Sequence, residues 1–296
     1  MTPKYLLGVI RAPFLILAPA CVLVGVGTAY WQTGSLNGWY VLLAFMGGLT
    51  AHITVNVFNE YFDFKSGLDS KTERTPFSGG SGTLPANPGM VTTTLILGCL
   101  TLLITAAIGI FFAWKQGMLI LLPGLLGLFL TVTYTTIWVK NPFLCLFAPG
   151  LGFGILMVMG THFALTGTYT WTAFCAALTP TFLVSNLLLL NQFPDVNADH
   201  SIGRRHFPVQ VGRKLSSRLY GIFLLLTYLS VVSGVIIHWL PVPALLALLT
   251  IPLAWKAFRG AQENADNIPA LVPSMGLNVI ICLATPTLLA IGLFIG

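Results

Sequence analysis

Residues 38–69 read GWYVLLAFMGGLTAHITVNVFNEYFDFKSGLD, and this stretch decides the fold. From Gly38 to Phe58 it is apolar and long enough to cross a bilayer, whose hydrocarbon core takes about 20 residues of helix. Its tail then turns acidic, with Asn59, Glu60, Asp63 and Asp69 in close succession. His52, Asn56, Asn59 and Asp63 are spaced so that, at about 100° per residue, they share one helical face. Polar side chains facing lipid are costly, so this stripe is expected to line an interior cavity.

Runs of the same kind recur along the whole chain. Of 296 residues 56% are hydrophobic and only 7% charged, where soluble domains carry about 25% charged residues. The length of a bilayer-crossing helix predicts nine spans, roughly 5–31, 38–58, 91–114, 117–138, 143–166, 171–192, 216–237, 241–257 and 273–295. The fold expected is all-α: a polytopic membrane bundle of about nine helices around a central cavity, one integral-membrane unit over residues 1–296. The first run is too long for the apolar part of a signal peptide and reads as a retained helix. Cys21, Cys99, Cys145, Cys175 and Cys282 lie inside apolar runs with no paired spacing, and read as small buried hydrophobes.

Nine spans put the termini on opposite sides. With the N-terminus inside, that side receives Lys4, Arg11, Lys65, Lys71, Arg74, Lys140, Arg204, Arg205, Arg213, Lys214, Arg218, Lys256 and Arg259; the other receives Lys115 alone. Such a bias orients the protein with its long connections, about 59–90 and 193–215, in the cytoplasm of a cell with an inner membrane. It also accounts for the net charge of +6 without a nucleic-acid partner, and nothing points to an obligate protein partner.

The second long connection repeats the script of the first. Asn191-Gln-Phe-Pro-Asp195-Val-Asn-Ala-Asp199 follows an apolar span and leads to Arg204 and Arg205, as Asn59 through Asp69 leads to Arg74. Asp199 stays in register with Asn191 and Asp195 if the helix survives Pro194. Four aspartates around one cavity repel one another, and a hard divalent cation relieves that. Mg²⁺ takes carboxylate oxygens and shares its other positions with water and phosphate. Basic residues beside such a cluster point to a metal-bridged diphosphate. The Ser78-Gly-Gly-Ser-Gly82 segment lacks the Gly-Lys-[Ser/Thr] of a P-loop; it reads as a flexible or ligand-covering loop, or equally as a plain turn. His162 and His238 read as packing residues.

At these residues the chain resembles the UbiA superfamily of intramembrane prenyltransferases. That family's first motif, Asn-[Asp/Glu]-x-x-Asp with a further Asp, matches Asn59, Glu60, Asp63 and Asp69; its second, Asp-x-x-x-Asp, matches Asp195 and Asp199. The chain looks most like the 1,4-dihydroxy-2-naphthoate branch, through Ile10–Pro13, Asn56–Asn59, Phe153–Thr161, Asn191–Asp195 and Gly203–Val209. His52 stands where that branch has glutamine and His162 where an aromatic is common. The loop Thr75–Gly82 also departs from many members' shorter, arginine-rich continuation.

The resemblance implies Mg²⁺-dependent transfer of a polyprenyl group from its diphosphate to an aromatic acceptor, with dihydroxynaphthoate the first choice. The roles expected are these: Asn59, Asp63 and Asp195 catalytic; Asn59, Asp63, Asp69, Asp195 and Asp199 on metal. Lys65, Lys71, Arg74, Lys140, Arg204 and Arg205 would bind diphosphate, and Arg11, His52, Asn56 and Asn191 the acceptor. Other acceptors, cyclisation of the donor, and a transporter with two related halves stay open as alternatives. The Asp-Gly-x-x-Ala-Arg signature of CDP-alcohol phosphotransferases is absent.

Overall fold

The computed structural model describes residues 2–296 and is built from helices and their connections. Among the described residues eight helices are long and apolar enough to cross a membrane, and a further apolar helix over Met118–Thr133 is shorter. The bundle expected from the sequence is present, with some boundaries moved.

The first apolar run is two helices and not one. α1 (Pro3–Val9) stops, a 3-10 turn covers Ala12–Phe14, and α2 (Leu17–Thr33) follows. Arg11 lies at the break with φ of 52°, a left-handed conformation that costs a residue with a Cβ about 1–2 kcal/mol. Pro13 has no N–H to carry a helical ladder through this point. Asn56 offsets the disruption, donating its side-chain N–H to the freed carbonyl of Ile10 at 3.0 Å.

α3 (Gly38–Ser66) runs past the predicted end of its span at Phe58. Asn37 caps its start, accepting from the N–H groups of Trp39 and Tyr40 at 2.9 and 3.3 Å. Gly67 ends it in the left-handed region at φ 75°. The whole polar stripe therefore sits on one unbroken helix, and the first long connection is shorter than expected, with α4 (Thr83–Ala86) inside it.

α5 (Val91–Gln116) packs along α3. Then come the short α6 (Leu121–Thr133), α7 (Pro142–Gly150), a π-helical stretch over Leu151–Leu156, and α8 (Met157–Thr166). α9 (Trp171–Asn191) is the central post: 78% of its most apolar window is buried, against 17% for the Pro88–Gln116 segment, which faces lipid. Gly150 and Gly154 let the neighbouring backbone close on α9. A Cβ on Gly154 would lie 2.0 Å from the Thr181 hydroxyl, the small-residue contact by which membrane helices approach one another.

Pro194 does break the second motif's helix. α9 ends at Asn191, and a separate α10 (Val196–Ser201) starts from Asp195. α11 (Phe207–Val211) leads to α12 (Arg213–Ile236); a 3-10 stretch over Val242–Thr250 and α13 (Ile251–Glu263) form the predicted eighth span, and α14 (Ile268–Ile295) closes the bundle. Leu183, Leu190, Phe193, Tyr220, Leu271 and Ile281 form the core where α9, α12 and α14 meet. The two long connections also touch, with Lys71 Nζ 3.3 Å from Ser201 Oγ, so both aspartate motifs emerge at one end of the bundle.

Candidate active site

A polar cavity of about 330 Å³ lies between these connections. Asn59, Asp63, Asp69, Asn191, Asp195 and Asp199 all line it. α3 delivers the first motif and the α9–α10 turn the second. The loop Thr75–Ser81 and the Arg11 break complete the wall. Every expected metal residue is therefore at one site.

Its electrostatics are organised around Arg204. The guanidinium stands between the motifs, bonded to Asp63 on one side and to Asp199 at 3.0 Å on the other. His206 Nε2 meets the second oxygen of Asp199 at 2.7 Å. Buried carboxylates on both sides push the Arg204 pKa up, against the opposing effect of its own burial. Burial raises Asp69 to about 7, helped by the charges of Glu60 and Asp63 and opposed by Arg11 and Arg74. Burial likewise raises Asp195 to about 7, helped by Asp199 and opposed by the Gly79 N–H and by Arg204.

Among the described residues, no three His, Cys, Asp or Glu side chains stand close enough together to hold a metal ion as they are. The donor set nevertheless fits Mg²⁺, being oxygens on hard ligands. Asp69 Oδ2 and Asp195 Oδ1 are buried with no hydrogen-bond partner, and a buried acceptor without a partner is costly. Such a cation would give those two oxygens the partner they lack.

Of the cations expected at the diphosphate, Arg204 alone lines the cavity. Lys65, Lys71, Arg74, Lys140 and Arg205 are exposed and lie outside its wall. Arg11, expected at the acceptor, is in the wall and faces Glu60 at 3.5 Å. His206, Gly79 and Tyr134 also line it. The histidine falls inside the Gly203–Val209 stretch and Gly79 inside the Ser78–Gly82 segment that the sequence offered as a ligand-covering loop or a plain turn; Tyr134 had no signal.

Arg11, Asn59, Phe77, Tyr134 and Asn191 are shared with a second, apolar cavity of about 490 Å³ that continues into the bundle. Its wall includes Ile16, Ile110 and Leu125, which are also exposed on the outer surface. This chamber therefore opens sideways toward lipid. His52 lies in its wall, edge-on to Phe153 with ring centres 4.7 Å apart and Nδ1 lacking a partner. Asn56 lines it too, although its side-chain N–H is committed to Ile10. His162 is elsewhere, its two ring nitrogens within 3.0 and 3.2 Å of the Thr28 and Thr170 hydroxyls.

Comparison with known proteins agrees with this geometry. The profile of the UbiA prenyltransferase family matches residues 18–280. A 1,4-dihydroxy-2-naphthoate octaprenyltransferase of Escherichia coli is 28% identical, over 97% of this chain and 94% of the relative. The apo structure of a UbiA homologue from Aeropyrum pernix superposes with a TM-score of 0.72 at 17% identity, covering 95% of this chain and 97% of the other. A UbiA homologue from Archaeoglobus fulgidus, solved bound to GPP and Mg²⁺, gives 0.65 at 13% identity, covering 99% and 100%. With paired aspartate motifs at one end of a helical membrane bundle and a family profile spanning most of its length, the chain belongs to the UbiA prenyltransferase family and is a membrane-embedded prenyltransferase.

Proposed function

We propose that this enzyme transfers a polyprenyl group from its diphosphate to 1,4-dihydroxy-2-naphthoate, in menaquinone-type quinone biosynthesis, with Mg²⁺ held by Asn59, Asp63, Asp69, Asp195 and Asp199. One observation carries the reading: a carboxylate-lined chamber opens directly into an apolar one that reaches the lipid-facing surface. That is the division of a prenyl diphosphate itself, a highly charged head on a tail too apolar for water.

Bound Mg²⁺ would supply positive charge to the departing diphosphate. Arg204 borders the same chamber and adds fixed positive charge where negative charge develops as the C–O bond breaks. The apolar chamber holds the tail and keeps water from the allylic cation. An electron-rich ring carbon of the acceptor then supplies the electron pair for the new C–C bond, and loss of a proton or of CO₂ restores the aromatic ring. Arg11 carries the charge to hold the acceptor's carboxylate; His52 and Asn191, each with a buried polar atom lacking a partner, supply hydrogen bonds to its hydroxyls. The name of the Escherichia coli relative supports this acceptor. The ligands of the Archaeoglobus homologue support the donor and the metal.

The test is to incubate purified protein with Mg²⁺, geranylgeranyl diphosphate and a panel of acceptors, and to identify products by mass. Prenylated naphthoate product is expected, and none with EDTA. Turnover of a non-aromatic alcohol alone would overturn the acceptor and leave prenyl transfer standing.

The orientation belongs to the same proposal: N-terminus and site in the cytoplasm, as the distribution of Lys and Arg supports. Ser70 and Ser201 are exposed at the site's end of the bundle, and four of the five native cysteines are buried, Cys99 being the exception. Cysteines placed at 70 and 201 in a Cys99→Ser background should react with an impermeant reagent from the cytoplasmic side. Reaction from the opposite side would overturn it.

A further inference from the structure

Glu60 lies inside the first motif, between Asn59 and the metal residues expected at Asp63 and Asp69. Its side chain does something else. It is completely buried, yet it is absent from the walls of both chambers, while Asp63, Asp69, Asp195 and Asp199 line the polar one. One carboxylate oxygen accepts from the backbone N–H of Ser81 at 3.0 Å and also from the Ser81 hydroxyl. The other faces the Arg11 guanidinium at 3.5 Å. Both oxygens are thus turned toward the glycine-rich loop and the Arg11 break.

That loop reaches both motifs. Gly79 and Gly80 line the polar chamber together with Asp195. Gly80, at φ 70°, passes so close to the first motif that a Cβ there would lie 2.9 Å from Asp69 Oδ1. Phe77 lines both chambers at their junction, and its ring lies 3.5 Å from where a Cβ on Gly276 of α14 would be. Ser81, bonded onward to the Thr83 hydroxyl at 2.7 Å, is the point at which this segment is tied to α3.

We propose that Glu60 is a positioning residue and not a metal ligand: it pins the Ser78–Gly82 loop across the two aspartate motifs, and the pinned loop holds Asp195 and Asp69 where the diphosphate is bound. The link to the diphosphate rests on the proposed prenyl-transfer reading. The pinning itself does not depend on that reading.

The experiment is hydrogen–deuterium exchange of the amides of residues 77–82 in the purified full chain, with Mg²⁺ binding measured separately by competition against Mn²⁺. Hydrogen bonds to a buried carboxylate are among the stronger ones, so Glu60→Ala should speed exchange of this loop about tenfold or more. Ser81→Ala, a milder change far less able to disturb folding, should speed it in the same residues. Glu60→Gln keeps an acceptor for Ser81 and should return exchange toward wild type, with Mg²⁺ affinity within about threefold of wild type; Asp63→Asn should lose Mg²⁺ while leaving the loop protected. In turnover, Ser81→Ala should raise the KM for prenyl diphosphate more than it lowers kcat. Unchanged loop exchange in Ser81→Ala and Glu60→Ala would overturn the pinning. Loss of Mg²⁺ by Glu60→Gln to the extent seen in Asp63→Asn would make Glu60 a ligand and overturn the proposal. Neither readout needs turnover, so an error in the acceptor or the reaction would leave both intact.

Discussion

The two aspartate motifs carry the same linear pattern on different scaffolds. In the first, α3 runs unbroken through His52, Asn56, Asn59 and Asp63 to a glycine cap, and helical spacing puts these four on one face, with Asp69 in a 3-10 turn just beyond the cap. In the second, the helix stops at Asn191 and a new short helix begins from Asp195. Asp195 and Asp199 stay one turn apart because the Asp199 N–H donates to the Asp195 carbonyl at 2.8 Å. Arg204 and His206 then clamp Asp199 from outside. Most of the first motif rides on a single helix, whereas the second is held across a break by its partners. A spacing rule carries only as far as the helix beneath it.

The largest effects should treat the motifs alike. Asp63→Ala and Asp195→Ala should each lower kcat by at least about a thousandfold, since each removes charge that offsets the diphosphate. A thermal melt in detergent checks that the variants are folded. A well-folded Asp195→Ala enzyme near wild-type activity would leave the first motif acting alone.

The next change separates them. His206→Ala removes the outer clamp on Asp199 and should weaken Mg²⁺ binding about tenfold to a hundredfold, as loss of a ligand's supporting hydrogen bond does. Asp63 of the first motif is bonded to Arg204 and not to a histidine, so it loses no direct partner in this variant. Mn²⁺ competition reads the effect, and an unchanged affinity would mean that Arg204 suffices.

pH reaches one residue in each motif. Asp69 and Asp195 both have pKa values raised to about 7, so below that value protons compete with Mg²⁺. Apparent Mg²⁺ affinity should fall by about tenfold per pH unit for each carboxylate that must lose its proton, and level off above pH 7. For the metal-free fold the sign is opposite. The unfolded carboxyls ionise near 3.8 and the folded ones near 7, so folding is penalised progressively as pH rises between those values. An Mg²⁺ affinity flat from pH 5.5 to 8 would contradict both shifts.

The smallest effect tests the stiffness of the first scaffold. Gly67→Ala puts a Cβ at φ 75° where nothing lies within 4 Å of it, so the cost is backbone strain alone, about 1 kcal/mol. A small fall in melting temperature with kcat nearly unchanged is expected.

Much of this was legible in the residues. Apolar length gave the bundle, and the four-residue spacings gave the stripe on α3. What was hidden depends on three dimensions. Arg11 adopts a left-handed conformation that neighbouring residues hint at only through Pro13, so the first run read as one helix. Asn56, expected at the acceptor, also gives one side-chain N–H to the backbone break that Arg11 makes. Proximity in sequence also grouped Lys65, Lys71, Arg74, Lys140 and Arg205 with the site, while long flexible side chains at a membrane surface gain more from water than from a cavity wall. Arg204 differs because two buried carboxylates face it.

If the two motifs form one Mg²⁺-dependent diphosphate site, purified protein should retain radiolabelled geranylgeranyl diphosphate with Mg²⁺ and not with EDTA. One diphosphate per chain is expected in wild type, with the same loss in Asp63→Asn and in Asp195→Asn. Binding that survives Asp195→Asn but not Asp63→Asn, or that persists in EDTA, would contradict a single shared site.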